Sequence, residues 1–260
     1  MKIVIVCAIC MISLSLHAAD NDSLQWQKKE HSQFTLYFTA ADSSIIFLME
    51  KDLENGRRSV TGFFQTTFKK KFEVYIFPNR EELNQQWRKD WSMPGFNSEC
   101  WMVASGVAHR LDILSPLCWK KDACDHNAGD SIEVQKIITH ELVHVFHAQH
   151  NPKPTFDGMD DLSWLVEGLA TAVSGQLNER RINSVKSQLK EGKVPTALSQ
   201  LWTGADKYGR AGCFVEFIEQ QYGLNKLIEL LSLTDLPSIL KALNSNETSL
   251  INRWKNKMLE

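Results

Sequence analysis

Two histidines and a glutamate stand inside an otherwise apolar run, Ile137-Ile138-Thr139-His140-Glu141-Leu142-Val143-His144-Val145-Phe146, and no other stretch constrains the fold as strongly. Asp130, with Glu133 three residues on, reads as the start of a helix that ends at Asn151-Pro152. Ile137, Ile138, Val145 and Phe146 give that helix an apolar face to bury. Residues four apart on a helix differ by about 40° around the axis and roughly 6 Å along it, so His140 and His144 project into the same space. Burying two imidazoles and a carboxylate is costly unless they share a partner. A metal ion is such a partner. The spacing suits one Zn²⁺ held by both imidazoles, with Glu141, about 100° further round, placed to take a proton from water activated at the metal.

Catalytic zinc takes a third protein ligand and keeps a fourth position open. Three residues are candidates. Glu167, in Trp164-Leu165-Val166-Glu167-Gly168-Leu169-Ala170, is a carboxylate embedded in an apolar helical pattern, where ligation would compensate its burial. His150 lies six residues past His144 and reaches back only if the helix breaks near His147, a residue without glycine's backbone freedom; it reads first as a helix-end residue. Cys100 offers a thiolate, although a disulfide is the commoner fate in an oxidising compartment. Glu167 leads the three. His147, on the same helix face as the pair, reads equally as a neighbour of the metal or as a surface histidine.

The chain has 260 residues, 29 Lys+Arg against 31 Asp+Glu, and 43% hydrophobic residues, enough to bury a core without disulfide or metal support. Its formal net charge of −2, and the absence of any basic run longer than Lys69-Lys70-Lys71, exclude a phosphate-tracking surface, so no nucleic-acid partner is expected. Met1-Lys2, the apolar run Ile3 to Leu16 and the small pair Ala18-Ala19 before Asp20 have the three-part pattern of a signal peptide covering residues 1–19. The protein is therefore expected to be exported, periplasmic or secreted. No other stretch approaches the roughly 20 apolar residues of a membrane span, so none is expected after signal cleavage. Past the signal, Cys100, Cys118, Cys124 and Cys213 allow three disulfide pairings, and spacing does not choose among them.

Alternation predicts strands over residues 33–38 and 72–76, with a long helix between them running from Asp42 or Ser43 to about Phe68. Asn79 with Glu82 predicts a helix through Trp87; residues 101–107 and 110–114 read as a hairpin, and 116–129 as loop. The remainder reads as helix: 130–151, about 161–175, 177–191, and two or three more. The expected class is α+β, a small N-terminal mixed sheet with helices (about 32–116) followed by a helical half (about 130–260) in a single domain, 20–260.

His140-Glu141-Leu142-Val143-His144 followed by Trp164-Leu165-Val166-Glu167-Gly168-Leu169-Ala170 resembles the gluzincin zinc peptidases, in particular the small exported domains called peptidase MA-like. The opening strand, long helix, second strand ending Phe77-Pro78-Asn79-Arg80, and the Val194-Pro195-Thr196 to Leu201 segment are also similar, so the resemblance covers roughly Ser32 to the C-terminus. It implies a thermolysin-like catalytic domain that hydrolyses peptide or protein substrates, with one zinc on His140, His144 and Glu167, and Glu141 as general base. It also implies a role for Tyr208, in Lys207-Tyr208-Gly209-Arg210, as a hydroxyl donor to the oxyanion. Two departures are visible. Thr171 stands where relatives carry an Asp that orients the first histidine, and the Gly-x-Met-Glu-Asn signature of aminopeptidases is missing upstream of His140, which favours an endopeptidase. The competing expectation is a non-catalytic zinc domain that binds peptides or proteins of the cell envelope.

Overall fold

A computed structural model describes residues 24–260; the expected signal peptide lies outside the described residues. Five strands form one mixed sheet: β1 (Gln27–Glu30), β2 (Phe34–Phe38), β3 (Phe72–Phe77), β4 (Ala104–Val107) and β5 (Arg110–Leu114), in the order β1-β2-β3-β5-β4. The chain passes from β2 through helix α1 (Ile46–Phe64) to β3, and this helical crossover lets β2 and β3 pair parallel. Helix α2 (Arg80–Asp90) carries the chain onward towards β5, which pairs parallel with β3, while β4 and β5 form the expected antiparallel hairpin. Asn79 caps α2 by accepting the Glu82 amide at 3.0 Å, as the spacing predicts.

Ten helices appear among the described residues, the rest being α3 (Trp119–Asp122), α4 (Ser131–His150), α5 (Ser163–Val173), α6 (Glu179–Lys190), α7 (Lys207–Tyr222), α8 (Leu224–Leu230), α9 (Leu236–Ala242) and α10 (Glu247–Leu259). The class is mixed, strands first and helices after, in keeping with α+β. Four local expectations need correction. Strand β1 escapes the sequence pattern, because Gln-Lys-Lys-Glu is exposed at every position and pairs with β2 through its backbone and a single side-chain bond, Thr35 Oγ1 donating to Glu30 at 2.9 Å; its lysines suit a sheet edge. The hairpin begins at Ala104 rather than Trp101, because residues 99–102 turn back around the Arg80 guanidinium, which donates to the carbonyls of Glu99, Cys100 and Met102. The 116–129 segment contains a 3-10 turn and α3, which buries Trp119 and ties its indole to the Leu114 carbonyl. Four helices, rather than two or three, follow α6.

Register places Phe34, Leu36, Val74, Ile76, Leu111 and Ile113 on one face of the sheet, all buried, and α4 packs against β4 and β5. Helix α1 packs on α4, where Phe64 stacks on Phe146 at 4.4 Å between centroids. The buried apolar side chains of the strand-bearing and helical halves form one continuous cluster. Cys100 and Cys124 form a disulfide, and Cys118 and Cys213 are free. No helix of the described residues is long and apolar enough to cross a membrane.

The opposite face is more polar. Tyr37 stacks on Tyr75 at 4.5 Å, and the Arg110 guanidinium lies 3.9 Å over the Tyr75 ring while its Nε donates to Asp112 at 2.6 Å. Asp112 is buried, and burial, outweighing the attraction of Arg110, pushes its pKa from 3.8 up to about 6. A carboxyl whose pKa rises on folding contributes stability that is full below its unfolded value and lost as pH climbs through the folded one. The unfolding free energy of the wild type relative to Asp112→Asn is therefore expected to fall by about 2–3 kcal/mol between about pH 4 and pH 6.5. Urea titrations across that range measure it, and a difference independent of pH would remove Asp112 from the balance.

Candidate metal centre

Helix α4 is buried at every position from Ile137 to Ala148, on all its faces rather than along one stripe. Asp130 starts it by accepting the amides of Ile132 and Glu133. His140 Nε2 and His144 Nε2 face each other at 3.1 Å. Helix α5 brings Glu167 to the same point: its Oε2 lies 3.3 Å from His140 Nε2 and 3.7 Å from His144 Nε2. Ligand atoms of His140, Glu141 and His144 fall within 4.8 Å of one another, and this buried group could hold a metal ion.

The charges in this cluster oppose one another. Burial pushes the Glu141 carboxyl above its ordinary value, and the nearby Glu167 adds to that, against the pull of His144 and His140 and of the Gly106 backbone amide. Burial also disfavours charge on Glu167, but the two imidazoles overcome it and hold Glu167 well below the carboxylate range. For His144 burial lowers the pKa, and the carboxylates of Glu167 and Glu141 more than restore it, so that the net shift is upward. His140 Nδ1, His144 Nδ1 and Thr171 Oγ1 are buried and make no hydrogen bond to protein. Thr171 thus supplies no acceptor in place of the Asp found in relatives of the resembled family.

Two glycines set the distances. A Cβ on Gly106 would come 2.4 Å from the Glu141 carbonyl oxygen and 3.2 Å from His144 Cβ, so β4 lies against the backbone of α4 at the turn that carries the histidines. A Cβ on Gly168 would come 2.5 Å from the Ala211 carbonyl oxygen, so α5 touches α7 backbone to backbone one residue past Glu167. That contact brings the first turn of α7 to the site: the Tyr208 ring centroid lies 6.2 Å from that of His140. Burial and the charges of Glu167 and Glu141 raise the Tyr208 pKa, keeping its hydroxyl protonated and able to donate. Asp206, just before α7, accepts from Ser184 and Gln188 on α6, which anchors this turn.

A cleft of about 1220 Å³ opens over the cluster, with β4 and the Trp101 loop on one side and α6 and the start of α7 on the other. Of the two hairpin strands, β5 is interior, paired on both sides by β3 and β4, and β4 is the one at the sheet's edge. His150 is not near the cluster, because its Nδ1 bonds the Phe146 carbonyl at 2.8 Å in the last turn of its own helix. Cys100 is occupied by its disulfide. His147 is not a surface histidine. It is fully buried against Phe156, 4.9 Å between ring centroids, and burial pushes its pKa down to about 3, so it stays neutral.

The structure therefore brings together His140, Glu141, His144, Glu167 and Tyr208. Sequence reasoning missed Gly106, whose signal was a glycine inside a strand pattern, and the cleft residues Arg181, Trp202 and Lys207, which carry no local signal. Neither the protein-family models nor the curated proteins compared with the chain give a match. Gly106→Ala must separate β4 from α4 by a fraction of an ångström, and is expected to cost about 2 kcal/mol or more in urea unfolding. An unchanged midpoint would show that the strand yields without cost.

Proposed function

We propose that this chain is a zinc-dependent peptidase of thermolysin-like, gluzincin type that cleaves peptide bonds outside the cytoplasm. The observation that carries this reading is the convergence of His140 Nε2, His144 Nε2 and Glu167 Oε2, separated by 3.1, 3.3 and 3.7 Å, with Glu141 beside them. Ligands about 2.0–2.1 Å from a tetrahedral zinc stand roughly 3.3–3.4 Å apart, a value those separations bracket. Two nitrogens and one carboxylate oxygen are the donor set of a catalytic zinc with one position left for water or substrate. The Cys100–Cys124 disulfide supports an oxidising compartment, and with it export.

A zinc ion held there would supply the Lewis acidity that makes water a nucleophile near neutral pH and polarises the scissile carbonyl. Glu141, buried and with a raised pKa, is suited to accept the proton from the attacking water and to return it to the leaving amine. The protonated hydroxyl of Tyr208 donates a hydrogen bond to the oxyanion as charge develops. The outer edge of β4, which has no strand beside it among the described residues, offers backbone groups along the cleft, where an extended substrate adds as a further strand. An internal segment of a longer peptide fits such an edge, in keeping with an endopeptidase.

Zinc analysis of purified protein and cleavage of a mixed peptide library test the proposal together. Wild type is expected to carry one zinc and Glu167→Ala to lose it. Glu141→Gln is expected to keep the metal and lose turnover by about 100-fold or more, and Tyr208→Phe to lower kcat by about 100-fold with a smaller change in KM. Cleavage by Glu141→Gln at the wild-type rate would overturn the mechanism. Zinc in a wild type that cleaves nothing would point instead to the peptide-binding zinc domain of the cell envelope.

A further inference from the structure

The cleft wall formed by α6 and the start of α7 carries two cations, Arg181 and Lys207, that form no ion pair with any carboxylate of the described residues. Arg181 lies partly buried with its guanidinium carbon 5.1 Å from the Tyr208 ring centroid. Lys207 Nζ stands 5.4 Å from the same centroid, 4.5 Å from that of Trp202 and 5.1 Å from that of Trp101, which belongs to the opposite wall. Every other partly buried arginine has a polar partner: Arg57 pairs with Glu54, Arg88 with Glu81 and Arg110 with Asp112, while Arg80 and Arg210 donate to backbone carbonyls. The side chains of Arg181 and Lys207 have only aromatic rings.

The acidic groups that could have paired with them are engaged. Asp206 accepts from Ser184 and Gln188, and across the cleft Glu133 binds His126 and the Asn127 amide. Glu141 and Glu167 belong to the histidine cluster. Desolvation lowers the Arg181 pKa from its ordinary value and outweighs the pull of Tyr208 and of Asp206, which lies near enough to be felt but forms no ion pair with the guanidinium. Two cations of different geometry, a planar fork and a point charge, flank the ring that neighbours His140. A carboxylate is the anion that a peptide brings to such a place, and the guanidinium fork matches it bidentately.

We propose that Arg181 and Lys207 form a carboxylate-binding subsite beside Tyr208, so that the cleft selects peptides with a carboxylate close to the bond lying over the histidine cluster. That these peptides are cleaved rests on the peptidase reading above; the binding preference does not. An Asp or Glu side chain and a free C-terminus present the same group, and the probes separate them.

Two matched heptapeptide series serve as probes. In one, a single Glu is moved through the sequence against Gln at the same position; in the other, a free C-terminal acid is set against its amide. Affinities for the Glu141→Gln protein are read from tryptophan fluorescence, with Trp101 and Trp202 as local reporters, and wild type is assayed for cleavage of the same peptides. In at least one position the acid is expected to bind about tenfold tighter than the amide. In the Arg181→Gln, Lys207→Gln double variant that ratio should collapse towards unity, and Arg181→Lys should restore part of it. The series that shows the preference identifies the source of the carboxylate. Residues that merely steadied Tyr208 would change kcat without moving the acid-to-amide ratio.

Acid and amide peptides binding within about twofold at every position, no measurable peptide binding, or a tenfold ratio that survives the double variant would each overturn the subsite. Preferential binding without any cleavage by wild type would leave the subsite standing and remove the peptidase reading.

Discussion

Helix α4 is enclosed on every side, and the rest of the molecule is arranged around that enclosure. A helix buried all round normally consists of apolar residues, yet this one carries His140, Glu141, His144 and His147 through its buried stretch. Each needs an environment that the helix alone cannot supply. Glu141 finds the Gly106 amide of β4, His140 and His144 find Glu167 of α5, and His147 is kept neutral by its apolar surroundings. The sheet on one side and α5 on the other are thus electrostatic partners of the helix as well as packing partners.

Close backbone contact makes that arrangement definite. Gly106 lets β4 lie on the turn of α4 that bears the histidines, and Gly168 lets α5 and α7 touch beside Glu167. No side chain stands between these backbones to absorb a shift, so the positions of Glu141, Glu167 and Tyr208 are coupled through main-chain contact. Asp206 adds a polar anchor from α6 to the beginning of α7. On the opposite wall, the disulfide and the Arg80 guanidinium organise the loop that carries Trp101. The cleft therefore lies between two braced walls, which is how side chains far apart in sequence hold a geometry suited to a single ion.

Much of this was legible locally. Strands β2 and β3, helices α1, α2, α4, α5 and α6 and the β4–β5 hairpin follow from alternation, helical spacing and caps such as Asn79 and Asp130, because those signals act over a few residues. Strand β1 escaped because four exposed polar residues contain no pattern and pair mainly through backbone. The start of the hairpin shifted because Arg80, some twenty residues earlier, captures the carbonyls of Glu99, Cys100 and Met102. His147 could not be distinguished from a surface histidine, since the segment that covers it, around Phe156, comes later in the chain.

The sequence by itself determined that His140 and His144 share a space, with Glu141 beside them, because four residues on a helix return to the same face whatever surrounds it. It also singled out Glu167 as a carboxylate in apolar company that needed a partner. Only the tertiary structure decided that this partner is the histidine pair, that Tyr208 overlooks it, that Cys100 joins Cys124, and that Arg181 and Lys207 face the cleft without an ion pair. The reason is one of range. Helical periodicity is a property of neighbouring residues, whereas the distance from β4 to α4 or from α7 to α5 is set by what lies between them. Here that is a glycine in each case, and the sequence does not say which backbone will come to lie against it.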